Sequence, residues 1–572
     1  MPSFSAVEVV SSAELEYVAQ LFKRQLASRC GDYVVYFLTD DRSRMYVRLA
    51  VTKDMPAESF SIAQTDSLTI SITGGDIRGL IYGVGKFLRG SRYALSEFTP
   101  SPWRGQDQPQ RQVRAIYLAS HGNNWFINAP DKDILRYVED LALWGFNTIA
   151  FWYCMADFPS ADHPRALAAA KLFKRLIEAA HRIDMGVTTI VMTNEPYGDT
   201  PETLRANWAV ENGYTAKPIA WFYPQICPSR PGGMELIAEN RRKMLDMFAD
   251  VQFDGFIFWP YDQGGCTCAQ CAPWGANGNV RTLPQVIDLC RKHSPKAKII
   301  VSTWEMDKFT TGEFDGMDRA LRAGTFGHVD YVLAENLLGK PVPWIEKNGV
   351  PGGLPLVGFP EISMWGIEPW GGYGAIVNPA GLQAGWDHIK HLSQGGFPYS
   401  EGIYEDVNKA ICAGFYWNDR PAQETLREYV GFEFGPEFEE EGVALLNLLE
   451  NSFPREIVGK KTPLRFVLKN PELAEHAFSL SQALEARMPA RIRRSWRWRV
   501  IALRCIIDVE LVRAGGLVNE TCEDALNELT EIYHYGPESN YLIHPQRILR
   551  HGNARRSQAA AAATLPKPAP QP

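Results

Sequence analysis

Residues 253–275 read FDGFIFWPYDQGGCTCAQCAPWG, and the interpretation of the whole chain starts from this stretch. It begins with an apolar run of strand length, which ends at Pro260 where a polar loop with two glycines starts. Asp262 lies in that loop, and Cys266, Cys268 and Cys271 follow it directly. A carboxylate that follows a buried strand is typical of a catalytic group at the rim of a parallel α/β barrel. We therefore predict an active-site loop that is braced by a structural metal.

The alternation of strand and helix repeats along the chain from Val113 onward. Amphipathic helical stretches, for example residues 132–144, 164–183 and 233–249, separate eight strand-like segments. Eight β/α units in roughly 300 residues predict a (β/α)8 TIM barrel over residues 110–420. A doubly wound open sheet is the alternative, but its nucleotide fingerprint is missing. The predicted strands are VRAIYLAS, NTIAFWY, VTTIVMTNEP, FDGFIFWPYD, KIIVSTWEMD, VDYVLAEN, LPLVGFPEIS and GGFPYSEG.

The regions before and after the predicted barrel have other patterns of predicted secondary structure. Residues 1–105 predict a small α/β domain that includes the strand-like segment YVVYFL at residues 33–38. The glycine-rich segment 74–90 is interpreted as a helix packed closely on a sheet rather than as a phosphate-binding loop. Residues 421–550 predict a helical C-terminal domain, and the low-complexity residues 551–572 predict a disordered tail.

The composition and net charge of the chain indicate which kinds of binding partner to expect. The 572 residues are 45% hydrophobic with a net charge of -7, which gives no reason to expect a nucleic-acid or membrane partner. The arginines of ARIRRSWRWRV, at residues 490–500, would spread around a helix, which favours a solvated or interdomain helix. No signal peptide and no apolar run of about 20 residues is present, so we expect a cytoplasmic protein. A homo-oligomer that assembles through the helical domain is compatible with this pattern.

Acidic residues recur where the predicted strands end. One acid follows each of strands three to eight, and aromatic or amide side chains accompany them. Like charges that meet at one rim raise one another's pKa and weaken the fold, so function is the better explanation of the set. The acids, in strand order, are Glu195, Asp262, Glu305, Glu335, Glu361 and Glu401.

Carboxylates among aromatic side chains are what glycoside hydrolysis requires, because one acid protonates the leaving oxygen and another activates water or attacks the sugar. A G-x-S-x-G elbow, a P-loop and an H-E-x-x-H motif are all absent from the sequence. We predict a glycoside hydrolase that removes a terminal sugar and needs no organic cofactor. Asp262 is the candidate general acid, and Glu335 and Glu361 are the candidate base or nucleophile. The candidate substrate-binding residues are Glu401, Glu305, Glu195, Asn194, His121, Trp152, Tyr261, Trp304, Trp365 and Tyr399.

The chain resembles a known group of glycoside hydrolases in its N-terminal segment and in its strand-end acids. Its N-terminal segment, which ends in IRGLIYGVGKFLRG, is similar to the domain that precedes the barrel in β-hexosaminidases and microbial α-glucuronidases. In the α-glucuronidases an acid after strand four works by inversion with two later carboxylates, which implies Asp262, Glu335 and Glu361 here. The hexosaminidase Asp-Glu pair is absent, since Gln263 follows Asp262. The cysteines are not expected in α-glucuronidases, and they resemble those of uncharacterised bacterial members of the broader group.

Three cysteines within six residues favour metal binding. Structural zinc takes four ligands, and Cys227, on the loop after strand three, is the candidate that would join Cys266, Cys268 and Cys271. A disulfide pair, free thiols and a catalytic zinc are the alternatives.

Two other functions stay open on the sequence. One is a carbohydrate-binding or scaffold protein on a non-catalytic barrel, and the other is a metal-assisted lyase or isomerase that acts on sugars.

Overall fold

The computed structural model describes residues 2–36, 43–120, 125–218, 225–261, 265–335, 341–363, 375–452, 455–458 and 465–534. Four predicted features lie outside these ranges, namely Asp262, His121, Trp365 and the tail at residues 551–572. In the described part, no helix is both long and apolar enough to cross a membrane.

The N-terminal region is a mixed sheet with two longer helices. The sheet has the strand order β1-β2-β4-β3-β7, with β1, β2 and β4 parallel and β3 antiparallel to its neighbours. The strands are β1 (Ala6–Val10), β2 (Arg44–Val51), β3 (Phe60–Gln64), β4 (Thr69–Gly74), the β5 (Arg92–Ala94) and β6 (Glu97–Thr99) hairpin, and β7 (Gly105–Asp107), and the helices are α1 (Glu16–Cys30) and α2 (Ile77–Arg89).

Helix α2 packs against β3 and β4 at very short range, as the glycine-rich pattern predicts. The helix begins where Asp76 accepts a hydrogen bond from the Gly79 backbone N–H at 2.7 Å. A Cβ atom on Gly79 would lie 2.1 Å from the Ser59 carbonyl oxygen, so only glycine fits this approach. The close packing interpretation is confirmed.

The prediction of a strand at residues 33–38 is wrong for residues 33–36, the part of this segment that the structure describes. Asp32–Val34 form a 3-10 turn, and the Tyr36 N–H donates to the Asp32 carbonyl at 2.9 Å. Gly31, at φ +91°, turns the chain out of α1 just before this point. The β-branched and aromatic residues of the segment predicted a strand, but local backbone hydrogen bonds close a turn instead.

The central region is a closed parallel barrel, which confirms the predicted fold class. Each strand pairs with the next in chain order, and the eighth, split in two, closes on the first. The strands are β8 (Val113–Leu118), β9 (Thr148–Phe151), β10 (Gly186–Met192), β11 (Gly255–Trp259), β12 (Lys298–Ser302), β13 (Tyr331–Glu335), β14 (Leu356–Phe359), β15 (Ser393–Gly396) and β16 (Tyr399–Ser400).

Amphipathic helices cover the barrel because their apolar residues recur at three- and four-residue spacing. In α5, for example, Ala170, Phe173 and Ile177 are buried, and the Phe173 ring stacks on Phe151 with centroids 4.5 Å apart. The helices of this region are α3 (Trp125–Asn128), α4 (Asp131–Leu143), α5 (Pro164–Arg182), α6 (Gly233–Met247), α7 (Gly278–His293), α8 (Glu313–Arg322), α9 (Pro343–Asn348), α10 (Pro379–Ile389) and α11 (Asp406–Asn418).

The C-terminal region is helical with one short hairpin. The predicted helical stretch at residues 489–514 divides at Ser495, whose backbone is extended. Arg497 then contacts Asp140 at 2.9 Å and Asp406 at 2.8 Å, which agrees with the interdomain interpretation of this arginine-rich run. The elements are α12 (Ala422–Glu433), α13 (Glu439–Asn451), β17 (Arg455–Val458), β18 (Arg465–Leu468), α14 (Pro471–Arg487), α15 (Ala490–Arg493), α16 (Trp496–Arg513) and α17 (Glu520–His534).

Candidate active site

An aromatic floor lies inside the barrel near the carboxyl ends of its strands. The Trp259 ring centroid lies 5.1 Å from that of Trp304 and 5.0 Å from that of Phe359. The Tyr399 ring stacks on Tyr117 at 5.5 Å and lies 5.9 Å from Phe359. These five rings, contributed by the first, fourth, fifth, seventh and eighth strands, form a continuous apolar surface.

The alternation of side chains along the strands places three of the predicted acids on the inner face of the barrel. Side chains two residues apart on a strand point to the same face. Leu333, Phe359 and Tyr399 belong to the barrel's interior cluster, and an acid follows each of them by two residues. The acids are Glu335, Glu361 and Glu401, so the alternation of the strands directs them towards the aromatic floor.

Glu305 and Glu335 are neighbouring acids, and each has one carboxylate oxygen without a hydrogen-bond partner among the described residues. One oxygen of each carboxylate, Oε2, is buried and has no partner among the described residues, and the same holds for Trp304 Nε1. Burial raises the pKa of Glu335 to about 7, the charge of Glu305 adds to this, and Lys308 opposes it. Lys308 itself forms an ion pair with the other Glu305 oxygen. Since buried polar atoms are normally satisfied, this group of atoms is suited to a ligand with hydroxyls.

Glu305 also has an unusual backbone conformation. Its φ of +58° lies in the left-handed region, which costs a non-glycine residue free energy and is often found at functional sites. The Glu305 backbone N–H donates to the carboxylate of Glu335, at the end of β13.

Glu361 and Glu401 are held by neighbouring residues of the last two strands. Glu361 Oε1 accepts hydrogen bonds from the Ser363 backbone N–H at 2.6 Å and from its hydroxyl at 2.9 Å. The Tyr399 hydroxyl donates to Glu401. Burial raises the pKa of Glu401 well above its ordinary value, and the charges of Glu361 and Glu405 add to this. The two acids therefore belong to one electrostatic group.

The structure assembles the four predicted cysteines. The Sγ atoms of Cys227, Cys266, Cys268 and Cys271 all lie within 4.8 Å of one another. Cys227 Sγ is 3.8 Å from Cys268 Sγ and 4.0 Å from Cys271 Sγ. Zinc–sulfur bonds of about 2.3 Å in a tetrahedron put sulfurs about 3.8 Å apart, so these separations suit a tetrahedral metal.

Hydrogen bonds among the thiols also shift their pKa values. Hydrogen bonds from Cys266 and Cys271 lower the pKa of Cys227, whereas the hydrogen bond to Cys227 raises the pKa of Cys266 to about 12. The sulfur atoms hydrogen-bond to one another through their thiol protons. A divalent cation bound among them would replace these protons, because it favours the thiolate form of each sulfur.

Trp304 connects this cysteine cluster to the aromatic floor. Its ring packs partly against the interior cluster of the barrel and partly against the cluster that contains Cys227, Cys266 and Cys271. The cysteines therefore support one wall of the candidate site without entering it.

Three predicted substrate ligands occupy structural positions instead. The Asn194 amide donates to the Ile226 and Gly265 carbonyls, each at 2.9 Å, and accepts from the Gly265 N–H at 3.1 Å. Asn194 thus joins the loops after strands three and four. Tyr261 donates to the buried Glu313 and pairs with Tyr214 at 2.8 Å beside the cysteines.

Glu195 is the third residue whose contacts are structural. Its carboxylate accepts hydrogen bonds from the Met155 N–H at 2.7 Å and from Arg241 at 3.1 Å. Arg241 belongs to helix α6, which lies outside the barrel strands. Burial raises its pKa to about 7, and Arg241 counteracts part of that rise. Its position in the sequence, directly after Asn194, already places it on the opposite face of the strand from Met192 and Asn194. We leave Glu195, Asn194 and Tyr261 out of the proposed substrate site.

Sequence reasoning missed several residues that the structure adds. Tyr117 and Phe359 complete the aromatic floor, and the alternation of their strands was the signal that could have found them. Gln225, on the loop after strand three, is fully buried with neither side-chain polar atom partnered among the described residues. Trp152, which was predicted, packs in the interior cluster with Tyr117.

No protein-family model matches the sequence, and no curated protein matches it. Solved structures do match. A family GH115 4-O-methyl-α-glucuronidase with specificity for decorated arabinogalactans aligns at a TM-score of 0.58 and 11% identity, covering 92% of this chain and 76% of its own. The chain shares the fold of this solved structure. This confirms the architectural resemblance predicted from the sequence.

Two further structures show the same similarity. A Clostridium perfringens family GH89 enzyme, in complex with GlcNAc-α-1,4-galactose, aligns at a TM-score of 0.56 and 11% identity over 91% of this chain and 65% of its own. A Vibrio harveyi family GH20 exo-β-N-acetylglucosaminidase aligns at 0.50 and 10% identity over 79% of this chain and 76% of its own. At such identities the likeness establishes the fold alone.

Proposed function

We propose that the protein is a glycoside hydrolase that removes a terminal sugar from an oligosaccharide or glycoside. The observation that carries this proposal is that the buried Oε2 atoms of Glu305 and Glu335, beside the aromatic floor, have no hydrogen-bond partner among the described residues. Sugar rings have an apolar C–H face and a rim of hydroxyls. The aromatic floor suits the apolar C–H face of a sugar. The unsatisfied carboxylate oxygens and the Trp304 N–H suit its hydroxyls, because each hydroxyl both donates and accepts a hydrogen bond.

Proton transfer at this site is assigned to the acids of the later strands. Glu335, with its pKa raised to about 7, is the proposed general base, since a base is most effective when its pKa lies near the working pH. Glu361 is the second carboxylate, acting as base or nucleophile with its orientation set by Ser363. Asp262, the proposed general acid, lies outside the described residues, between Tyr261 and Gly265, which are both anchored.

A panel of aryl glycosides tests the proposed activity. It contains α- and β-linked hexosides, N-acetylhexosaminides and uronides, the last because one fold neighbour is an α-glucuronidase. Wild type should release aryl alcohol from at least one substrate, and Glu335→Gln should lower kcat about 10²–10⁴-fold. Glu346→Gln, on the exposed surface of α9, is the matched control and should leave activity unchanged. Natural oligosaccharides with the same sugars extend the panel, and binding without turnover across both sets would contradict the proposal.

The pH profile tests the role of Glu335 separately. A general base must be ionised, so kcat/KM should rise as the pH increases through about 7, the pKa to which burial raises Glu335. Glu335→Gln should remove this limb of the profile. A wild-type rate that instead falls above pH 7 would show that Glu335 acts as an acid.

We further propose that Cys227, Cys266, Cys268 and Cys271 hold one structural zinc ion. The four thiols offer the ligand number and the spacing of a closed tetrahedral site, which leaves no position for substrate. Protein purified without chelator should contain about one zinc per chain by elemental analysis. Cys271→Ser should lose the metal and Cys290→Ala, a buried cysteine of α7 outside the cluster, should keep it. Equal metal content in the two variants would refute the assignment.

A further inference from the structure

Glu313, the first residue of α8, has a carboxylate that connects two loops of the barrel. Its Oε1 atom accepts hydrogen bonds from the Tyr261 hydroxyl and from the Gly275 backbone N–H, the latter at 2.8 Å. Its Oε2 atom accepts a hydrogen bond from the Asp307 backbone N–H at 2.9 Å. Tyr261 and Gly275 belong to the loop after strand four, and Asp307 belongs to the loop after strand five. Each oxygen of this carboxylate therefore holds a different loop.

The Oε2 contact supports the turn that carries Glu305. Glu305 and Asp307 both have left-handed backbones, at φ +58° and +60°, which cost non-glycine residues free energy. The Glu313 N–H donates to Asp307 Oδ1 at 2.7 Å, so Glu313 and Asp307 hold each other by reciprocal hydrogen bonds. The Lys308 N–H closes the turn on the Glu305 carbonyl at 3.2 Å. Glu313 therefore stabilises the strained backbone that places Glu305.

The Oε1 contact supports the segment that carries Asp262, which itself lies outside the described residues. Tyr261 directly precedes Asp262 in the sequence. A Cβ atom on Gly265 would lie 3.3 Å from Tyr261 Cε1, so the tyrosine ring also packs against the residue where the described chain resumes. Because the Tyr261 hydroxyl donates to Glu313, this carboxylate fixes the orientation of a ring that contacts both sides of the segment.

The burial of Glu313 has a cost in stability. The residue is fully buried, and within the described ranges no cation forms an ion pair with it. Burial raises the pKa of its carboxyl to about 7, and the hydrogen bonds from Tyr261, Gly275 and Asp307 oppose this rise. A buried acid without a cation departs from the rules of a stable core, and such departures are expected near functional sites.

We propose that Glu313 is a positioning residue that holds Asp262 and Glu305 in a fixed arrangement across the candidate active site. The inference rests on the proposed function, because both residues are assigned to that site. Glu313 itself does not contact the substrate in this proposal, since donors of the protein occupy both of its oxygens.

Steady-state kinetics of full-length variants, on a substrate that wild type cleaves, tests the proposal. A glutamine at position 313 can serve only one loop with its carbonyl oxygen, so Glu313→Gln should lower kcat about tenfold to a hundredfold. Tyr261→Phe keeps the ring and removes one hydrogen bond, and it should lower kcat about threefold to tenfold. The double variant should be no slower than Glu313→Gln, because both changes break the same contact. Glu235→Gln, in the exposed first turn of α6, is the control and should match wild type.

The pH profile distinguishes positioning from a general loss of stability. Burial and the charge of Glu305 raise the pKa of Glu335, and Lys308 opposes this. If Glu313→Gln releases the turn, Glu335 is hydrated and loses the neighbouring charge, so the rising limb of kcat/KM should move to lower pH. If Glu313→Gln does not fold, kcat of Tyr261→Phe decides. A folded variant with the wild-type kcat and the wild-type limb would overturn this inference and leave the glycosidase proposal intact.

Amide hydrogen exchange without substrate tests the connection between the loops independently of turnover. Exchange should become faster in residues 265–278 and in residues 303–312 of Glu313→Gln, and it should stay unchanged in Glu235→Gln. Faster exchange in only one of the two segments would overturn the inference. A wild type that cleaves no substrate would instead contradict the proposed function.

Discussion

At the scale of single residues, the buried acids differ in whether a cation accompanies them. Glu195 has Arg241 at 3.1 Å, and both side chains are almost fully buried. Glu335 has a neighbouring carboxylate, and the nearest cation, Lys308, is committed to Glu305. Burial raises the pKa of both carboxyls to about 7, so the pKa does not distinguish them. The difference is that Arg241 contacts Glu195, whereas Glu335 Oε2 has no partner among the described residues.

The Glu195–Arg241 pair leads to a prediction about stability. Arg241→Met leaves Glu195 buried without its partner and should cost about 3–5 kcal/mol at pH 8 by urea unfolding. Glu195 already has a folded-state pKa of about 7 against an ordinary 4.5, so its stabilising contribution is present at low pH and is lost as the pH rises towards 7. The variant should therefore lose less stability at pH 5 than at pH 8.

Arg242→Met provides the control, because Arg242 neighbours Arg241 in the sequence but is exposed. It should change stability by less than about 0.5 kcal/mol. Equal losses in the two variants, or a loss for Arg241→Met that does not depend on pH, would count against this account of Glu195.

At the scale of elements, the loops after strands three and four act as one unit. Asn194 joins them through three hydrogen bonds, and the cysteines join them again a few residues further on. The loop after strand four carries Asp262. The position of this loop relative to the barrel depends on residues of the loop after strand three. The sequence predicted the metal link between these loops but assigned Asn194 to the substrate.

Asn194→Ala distinguishes a loop clamp from a substrate ligand. As a clamp, Asn194 protects the two loops, so the variant should show faster amide hydrogen exchange in residues 225–233 and 265–278 without any substrate present. Asn348→Ala, at an exposed site in α9, should leave the exchange of both segments unchanged. Unaltered exchange in Asn194→Ala together with a raised KM would instead support the role of substrate ligand.

At the scale of the whole molecule, the three regions share one apolar core. A continuous cluster of buried side chains runs from Phe22 in the N-terminal helix through Phe151 of the barrel to Leu503 in α16. Arg497 adds a polar connection, since it joins the C-terminal helices to Asp140 and Asp406 of the barrel. We therefore expect thermal unfolding in a single cooperative transition.

Arg497→Leu should destabilise this assembly by about 3–5 kcal/mol, because Asp140 and Asp406 lose their common partner while they remain largely buried. Calorimetry should still show one transition, at a lower temperature than wild type. Arg493→Leu, at an exposed position of α15, is the control and should have little effect. A wild-type scan with two separated transitions would contradict the shared core.

The sequence by itself determined the barrel, its helical C-terminal neighbour and the acids at the strand ends, because hydrophobic periodicity is a local property that each segment carries alone. It also identified the four cysteines, since their type and spacing are chemically distinctive. It could not show that Arg241 pairs with Glu195, that Asn194 joins two loops or that YVVYFL begins as a turn.

Only the tertiary structure decided which carboxylate oxygens lack a hydrogen-bond partner. Arg241 is 46 residues from Glu195 in the sequence, yet the two side chains meet in the buried interior. Whether a charge is satisfied depends on these long-range neighbours and on the water that they exclude. The unpartnered Oε2 atoms of Glu305 and Glu335 are therefore properties of the fold, set by packing and desolvation rather than by local sequence.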